Sequence, residues 1–189
     1  MSSHHIVREK QEPALLVLGL ENFSDELLGQ LLEWSPTVIA TVETADDLSS
    51  REIKIDWIIT SDSTEVSQPH VKLIPVSEGN TIVTALKFLA ENGYASVNII
   101  TDDLRLNDYE PFINRINLVI FNCYQKIYAV SSGYSKWKSA DEGIRLLING
   151  NNLITEGLYQ TSDKEYKTTY DGFFTLQFDD PFLFVAEDI

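Results

Sequence analysis

Cysteine is nearly absent: Cys123 is the one example in 189 residues. No internal disulfide can form, so a reducing, cytoplasmic setting is the expectation. Cys123 closes the apolar run Leu118-Val119-Ile120-Phe121-Asn122-Cys123 with no histidine near it in sequence. It reads as a small buried hydrophobe and not as a nucleophile. Long apolar runs are missing as well. None reaches the roughly 18 residues of a membrane span, and no signal-peptide pattern opens the chain, so no membrane partner is expected. Bases are scarce, with 14 Lys and Arg against 29 Asp and Glu and a formal charge of −15. Such a surface repels nucleic acid and anionic membranes, and no Lys/Arg cluster interrupts it. A phosphorylated ligand would need a metal ion or a local cationic pocket.

Common catalytic cradles are missing too. There is no Gly-rich loop ending in Lys-Ser/Thr, no Gly-x-Gly-x-x-Gly after the first apolar run, and no Gly-x-Ser-x-Gly elbow. The three histidines have neither a triad nor a zinc setting. His4 and His5 lie in the polar stretch 1–12, which is expected to be a frayed tail. Asn22-Phe23-Ser24 matches a glycosylation sequon without meaning in a cytosolic protein.

What is present is enough apolar material for a core: 43% hydrophobic and 11% aromatic residues, sufficient for one large domain or two small ones. Residues 13–124 alternate strand and helix. Pro13 to Gly19 is a first short strand. Ser24 caps a helix carrying Leu27, Leu28, Leu31 and Leu32. Thr37–Val42, Asp56–Thr60 and Val71–Val76 are further strands. Asn80 caps a helix over Thr81–Asn92, stopped by Gly93. Ser96–Thr101 is the next strand, Asn107 or Asp108 caps another helix, and Leu118–Cys123 closes the series. This predicts an α/β fold, a parallel sheet with helices on both faces. From residue 125 to 189 the pattern changes to short strands with polar turns and no helix. They are Lys126–Ser131, Gly143–Ile148, Leu153–Leu158, Gly172–Phe178 and Phe182–Ala186. Asn149-Gly150-Asn151-Asn152 and Asp179-Asp180-Pro181 read as hairpin turns. The expected second module is an antiparallel sheet or small β-sandwich.

In a parallel sheet, ligands sit beyond the carboxyl ends of the strands. Each predicted strand is followed there by an acid: Glu21, Glu43, Asp62, Glu78 and the pair Asp102-Asp103. Brought together, such acids hold Mg²⁺. Equally, acids are abundant in this chain and favoured at turns and helix starts. Both readings stand on the sequence. A receiver-type phosphoacceptor at Asp62 is disfavoured, because the paired acids after the first strand and the lysine after the fifth are missing.

Several stretches together resemble the thiamin pyrophosphokinase family. Val38-Ile39-Ala40-Thr41-Val42-Glu43-Thr44-Ala45 is similar to its Ala-Ala-Asp-Gly-Gly-Ala stretch. Asp56-Trp57-Ile58-Ile59-Thr60-Ser61-Asp62-Ser63 is similar to its Asp-Leu-Ile-Ile-Gly-Asp-Phe-Asp-Ser loop. Asn80 to Leu86 resembles Thr-Asp-Leu-Glu-Lys-Ala-Leu, and Arg105 with Asp108 resembles Gly-Gly-Arg-x-Asp-His. In the second module, Glu156-Gly157-Leu158 resembles a Gly-Leu strand, and Thr168-Thr169 stands where a Ser-Asn pair is expected. The resemblance implies a nucleotide-binding-like domain over 13–124 and a thiamin-binding-like domain over 125–189. It also implies a homodimer, and diphosphate transfer from MgATP to thiamin. Carried over, it makes Asp62 and Arg105 catalytic, and Asp62, Glu78, Asp102 and Asp103 metal ligands. Glu43, Thr44, Ser63, Thr81, Thr168 and Thr169 would contact nucleotide or thiamin.

The departures fall on the chemistry. Val42 replaces the acid of Asp-Gly-Gly, and Glu43 and Thr44 replace its glycines. One acid of the loop around Asp62 is lost, and Thr81 replaces another acid. Diphosphoryl transfer depends on cations that neutralise developing charge, and losing metal-holding acids removes them. The leading expectation is a catalytically impaired relative, a binding or interaction module for a thiamin-like molecule or nucleotide with no resident cofactor. The alternative is an active enzyme using Mg²⁺ and ATP through rearranged ligands.

Overall fold

The structure, a computed structural model, describes residues 12–61, 71–76 and 79–189. Two compact units divide between Cys123 and Tyr124.

Among the described residues, the first unit is built on six short strands: β1 (Ala14–Val17), β2 (Val38–Thr41), β3 (Trp57–Thr60), β4 (Lys72–Pro75), β5 (Ser96–Ile100) and β6 (Asn117–Asn122). All pair in parallel, in the order β6-β5-β1-β2-β3-β4. β1 and β2 are buried on both faces, which is why they read as unbroken apolar runs and not as alternating ones. Side chains of one parity (Leu15, Val17, Val38, Ala40, Ile58) pack with Leu28 of α1 (Asp25–Leu32) and Leu48 of α2 (Val42–Ser50). Trp57, of the other parity, lies 4.7 Å ring to ring from Phe88 of α3 (Thr81–Glu91). Each fully buried aliphatic side chain here contributes about 1.5–3 kcal/mol.

The caps follow the sequence at two of the helices. Ser24 accepts from the Leu27 N–H to start α1, and Asn80 accepts from the Val83 N–H to start α3. Helix α2 was not expected, because Thr41-Val42 reads as strand. Thr41 ends β2 and caps α2 at once, in a capping box with Thr44. α4 (Leu106–Tyr109) is a single turn that runs into a 3₁₀ turn over Glu110–Phe112. Its cap position is Arg105, without a side-chain cap bond, and not Asn107 or Asp108. Helical cover is thinner than the expected full layer on each face. Among the described residues, fourteen strands stand against helices of 8, 9, 11 and 4 residues, so the chain is sheet-rich.

The second unit is all strand: β7 (Gln125–Val130), β8 (Tyr134–Lys138), β9 (Gly143–Leu146), β10 (Ile154–Glu156), β11 (Leu158–Ser162), β12 (Glu165–Thr168), β13 (Gly172–Gln177) and β14 (Leu183–Asp188). Five run antiparallel in the order β11-β12-β9-β14-β7, and three in the order β10-β13-β8. Ile144, Leu146, Leu183 and Val185 of the larger sheet pack on Phe174, Leu176 and Phe178 from the β13 side. The expected strand Leu153–Leu158 breaks at Gly157, where the chain leaves one sheet for the other. Gly157 has φ +71, and a Cβ there would meet the Phe173 carbonyl oxygen at 2.8 Å. Neither expected hairpin turn makes a hairpin, since each joins strands of different sheets. Instead Asn151 and Asn152 hydrogen-bond Asp180 and Asp179, clasping the two turns together. Cys123 is half-buried in a turn at φ +53, not packed inside as expected.

Candidate site at the carboxyl ends of the parallel strands

β1 runs into Leu18-Gly19-Leu20-Glu21, and the neighbouring β5 into Thr101-Asp102-Asp103. Gly19 lies so close to Asp102 that a Cβ would come within 2.1 Å of Oδ2 and 2.9 Å of the Asp102 backbone nitrogen. Oδ2 of Asp102 accepts the Glu21 N–H at 3.1 Å. One turn on, the Thr101 hydroxyl donates to the Asp103 carbonyl at 2.9 Å and accepts the Asp103 N–H at 3.2 Å. The exposed Asp103 carboxylate takes Arg105 at 2.6 Å. That contact raises the Arg105 pKa further. Asp108 is tied to the start of α3, where Asn80 Nδ2 donates to its Oδ1 at 3.0 Å.

Beside β1, Thr44 is buried and its hydroxyl donates to the Val17 carbonyl at 3.0 Å while accepting the Thr41 N–H at 3.1 Å. The hydroxyl stitches α2 to the end of β1. Glu43, one residue earlier, is exposed at the first turn of the same helix. Thr81 opens α3, half-buried. Tyr109 is fully buried, and among the described residues its hydroxyl has no hydrogen-bond partner. Burial raises its pKa, with Thr101 acting in the opposite direction.

The structure therefore brings Asp102, Asp103 and Arg105 onto one loop beside Glu21. The Asp102 and Asp103 carboxylates each accept from a protein donor. Asp62, Ser63 and Glu78 lie outside the described residues. Among the described residues, no three Asp, Glu, His or Cys side chains converge as metal ligands. Thr168 and Thr169 belong to the second unit. Thr168 is buried, its hydroxyl donating to the Ser139 carbonyl and accepting the Glu142 N–H at 3.0 Å, while Thr169 is exposed.

A polar cluster in the second unit went unread in the sequence. Glu187 on β14 is buried and takes Lys136 of β8 at 2.6 Å, Lys138 at 3.6 Å and the Tyr128 hydroxyl. Tyr134 donates to Tyr128 at 3.1 Å, and Lys138 also pairs with Glu142 at 2.6 Å. Burial alone would raise the Glu187 pKa, but the bonds from Lys136 and Tyr128 outweigh it and hold it below the ordinary glutamate value. The signal was there: Tyr134, Lys136 and Lys138 alternate on one face of β8, and Glu187 interrupts an apolar strand.

A parallel α/β unit followed by an all-antiparallel two-sheet unit defines the class of fold. That fold is the one found in thiamin pyrophosphokinases. The enzyme of Geobacillus thermodenitrificans matches with a TM-score of 0.69 over 93% of this chain and 97% of its own, at 12% identity. Those of Bacillus subtilis (0.65, 14% identity, 93% of this chain and 98% of its own) and yeast (0.67, 10%, 96% and 88%) do likewise. No protein-family model matches the sequence, and no curated protein is significantly similar to it in sequence. No helix among the described residues is long and apolar enough to cross a membrane.

Proposed function

We propose that this chain is a divergent thiamin pyrophosphokinase-like protein whose catalytic site is impaired, and that it acts as a binding or interaction module. One observation carries the reading: each carboxylate described on the β5 loop, where metal would be needed, already has a protein partner. Asp102 is held by the Glu21 N–H against Gly19, and Asp103 by Arg105. Diphosphoryl transfer requires such groups to face the ligand and its metal. Arg105 would have to leave Asp103 to reach a phosphate. Thr44, standing for a glycine of the family motif, fills its place with a side chain bound to Val17.

In this reading residues 13–124 are a nucleotide-binding-like domain with helices on both faces of its sheet, α1 and α2 on one and α3 on the other. Residues 125–189 are a thiamin-binding-like domain. The protein is cytoplasmic, homodimeric, and takes a thiamin-like molecule or a nucleotide without turning it over. The test is direct: purified protein with MgATP and thiamin yields no thiamin diphosphate. Product formation that is lost in Asp62→Asn establishes the opposite reading, in which Asp62, Glu78, Asp102 and Asp103 hold Mg²⁺ and Arg105 the phosphate.

A further inference from the structure

At the other end of the strands, on the amino side of the parallel sheet, the first unit has a cavity of about 920 Å³. That volume suits a small molecule. Its walls include Trp34, Trp57, Phe88 and Tyr94. Trp34 is 69% exposed at its rim, a large apolar side chain left facing solvent. The cavity lies where α1, α2 and α3 all end: Leu32 closes α1, Glu52 and Ile53 follow α2, and Asn92 caps α3. A helix carboxyl end carries partial negative charge and favours a cation. None of these three helices has a basic residue in its last turn; Arg51, the C-cap of α2, is paired with Asp25.

The lining charges point the same way. Lys54 is matched by Asp56 at 2.7 Å. Among the described residues, Glu12 and Glu52 line the cavity without an ion-pair partner. The ammonium of Lys72 stands 4.9 Å over the Trp57 ring, so this aromatic face already holds a cation from the chain itself. An anion would meet two unpaired carboxylates, three helix carboxyl ends and a chain of charge −15.

We propose that this cavity is a binding site for a small organic cation of the quaternary or methylated ammonium type, recognised by the aromatic walls together with Glu52 and the helix ends. Lys72 is then the internal competitor, occupying the ring face that the ligand would use. The inference stands apart from the carboxyl-end site and holds whether or not that site is active.

Choline and its neutral carbon isostere, 3,3-dimethylbutan-1-ol, separate charge recognition from plain apolar fit. In isothermal titration of the intact chain, choline saturates and the isostere binds about tenfold more weakly or worse. Trp34→Ala and Glu52→Gln weaken choline, whereas Lys72→Ala tightens it by removing the resident ammonium. All three positions are exposed, so the fold is retained. Equal binding of choline and the isostere, no choline binding in the millimolar range, or weaker binding in Lys72→Ala would each overturn the proposal.

Discussion

Gly19 and Asp102 occupy each other's space: a Cβ on Gly19 would stand 2.1 Å from Asp102 Oδ2. Gly19→Ala must push Asp102 away and break its bond from the Glu21 N–H. The expected cost is about 1–3 kcal/mol, as for other overpacked sites. Asp102→Ala removes the clashing carboxylate but leaves the Asp102 backbone nitrogen at 2.9 Å. The double variant should therefore be less destabilised than the sum of the singles, read by urea denaturation. Strict additivity would show that the two residues do not constrain each other.

The capping box of α2 gives a second expectation. Thr41→Ala removes an N-cap acceptor and should cost about 1 kcal/mol. Thr44→Val should cost at least as much, about 1–2 kcal/mol, because the buried Val17 carbonyl loses its donor as well. A neutral Thr44→Val would mean that the Thr44–Val17 bond contributes nothing to joining α2 and β1.

Glu187 makes stability depend on pH. Its pKa is lowered in the folded chain, so the unfolded chain binds the proton first as pH falls. The stabilisation is whole above the ordinary glutamate value of 4.5 and is lost as pH drops from there through the folded value. Glu187→Gln leaves Lys136 without its carboxylate. It should cost about 2–3 kcal/mol at neutral pH, less than for a fully buried pair because Lys136 is 34% exposed. The penalty should shrink in acid. Tyr128, whose pKa is raised by burial and by Glu187, acts at the other extreme. The unfolded chain gives up that proton first, so stability falls as pH rises above 10.0. A penalty for Glu187→Gln that is the same at pH 3 and pH 7 would contradict this account.

Among the aromatic residues of the second unit are Phe174, Phe178 and Phe184. All three are buried inside the second unit. The exposed aromatics of this unit include Phe173 (63%), which faces Trp137 (53%) across β13 and β8. If the chain forms the proposed homodimer, this outer face is where it should do so. Sedimentation of the parent as a dimer and of Phe173→Ser with Trp137→Ser as a monomer is the expected result. A monomeric parent at micromolar concentration would remove the homodimer from the reading.

The sequence was most legible where local and tertiary preferences agree. Asn80, Ala85, Leu86, Leu89 and Gly93 mark one cap, one apolar stripe and one stop, and α3 spans Thr81–Glu91 as that pattern requires. α2 was hidden because β-branched Thr41 and Val42 imitate strand, and only Thr44 and Leu48 of the helix are buried. In the second unit β8, β12 and all of β11 beyond Leu158 were missed. Tyr134-Ser135-Lys136-Trp137-Lys138 turns its lysines to Glu187 and its tryptophan to solvent, the reverse of the usual alternation. The β11–β12 turn has Lys164 at φ +62 where glycine or asparagine would have announced it. The strand-end acids were visible, but not their partners. That Asp102 would be held by the Glu21 backbone across 81 residues of sequence is a consequence of β1 pairing with β5.

The proposed loss of catalysis is tested most directly by thermal melting with and without MgATP, alongside an assay for thiamin diphosphate. A working site at a hundredfold excess of ligand over its dissociation constant adds about 2.7 kcal/mol of stability. In a chain of this length that raises the melting temperature by roughly 5–10 °C. The expected result is no shift with MgATP, no product from thiamin, and an Asp62→Asn variant as stable as the parent or slightly more so. A clear MgATP shift and thiamin diphosphate formation, both lost in Asp62→Asn, would contradict it and make this protein an enzyme.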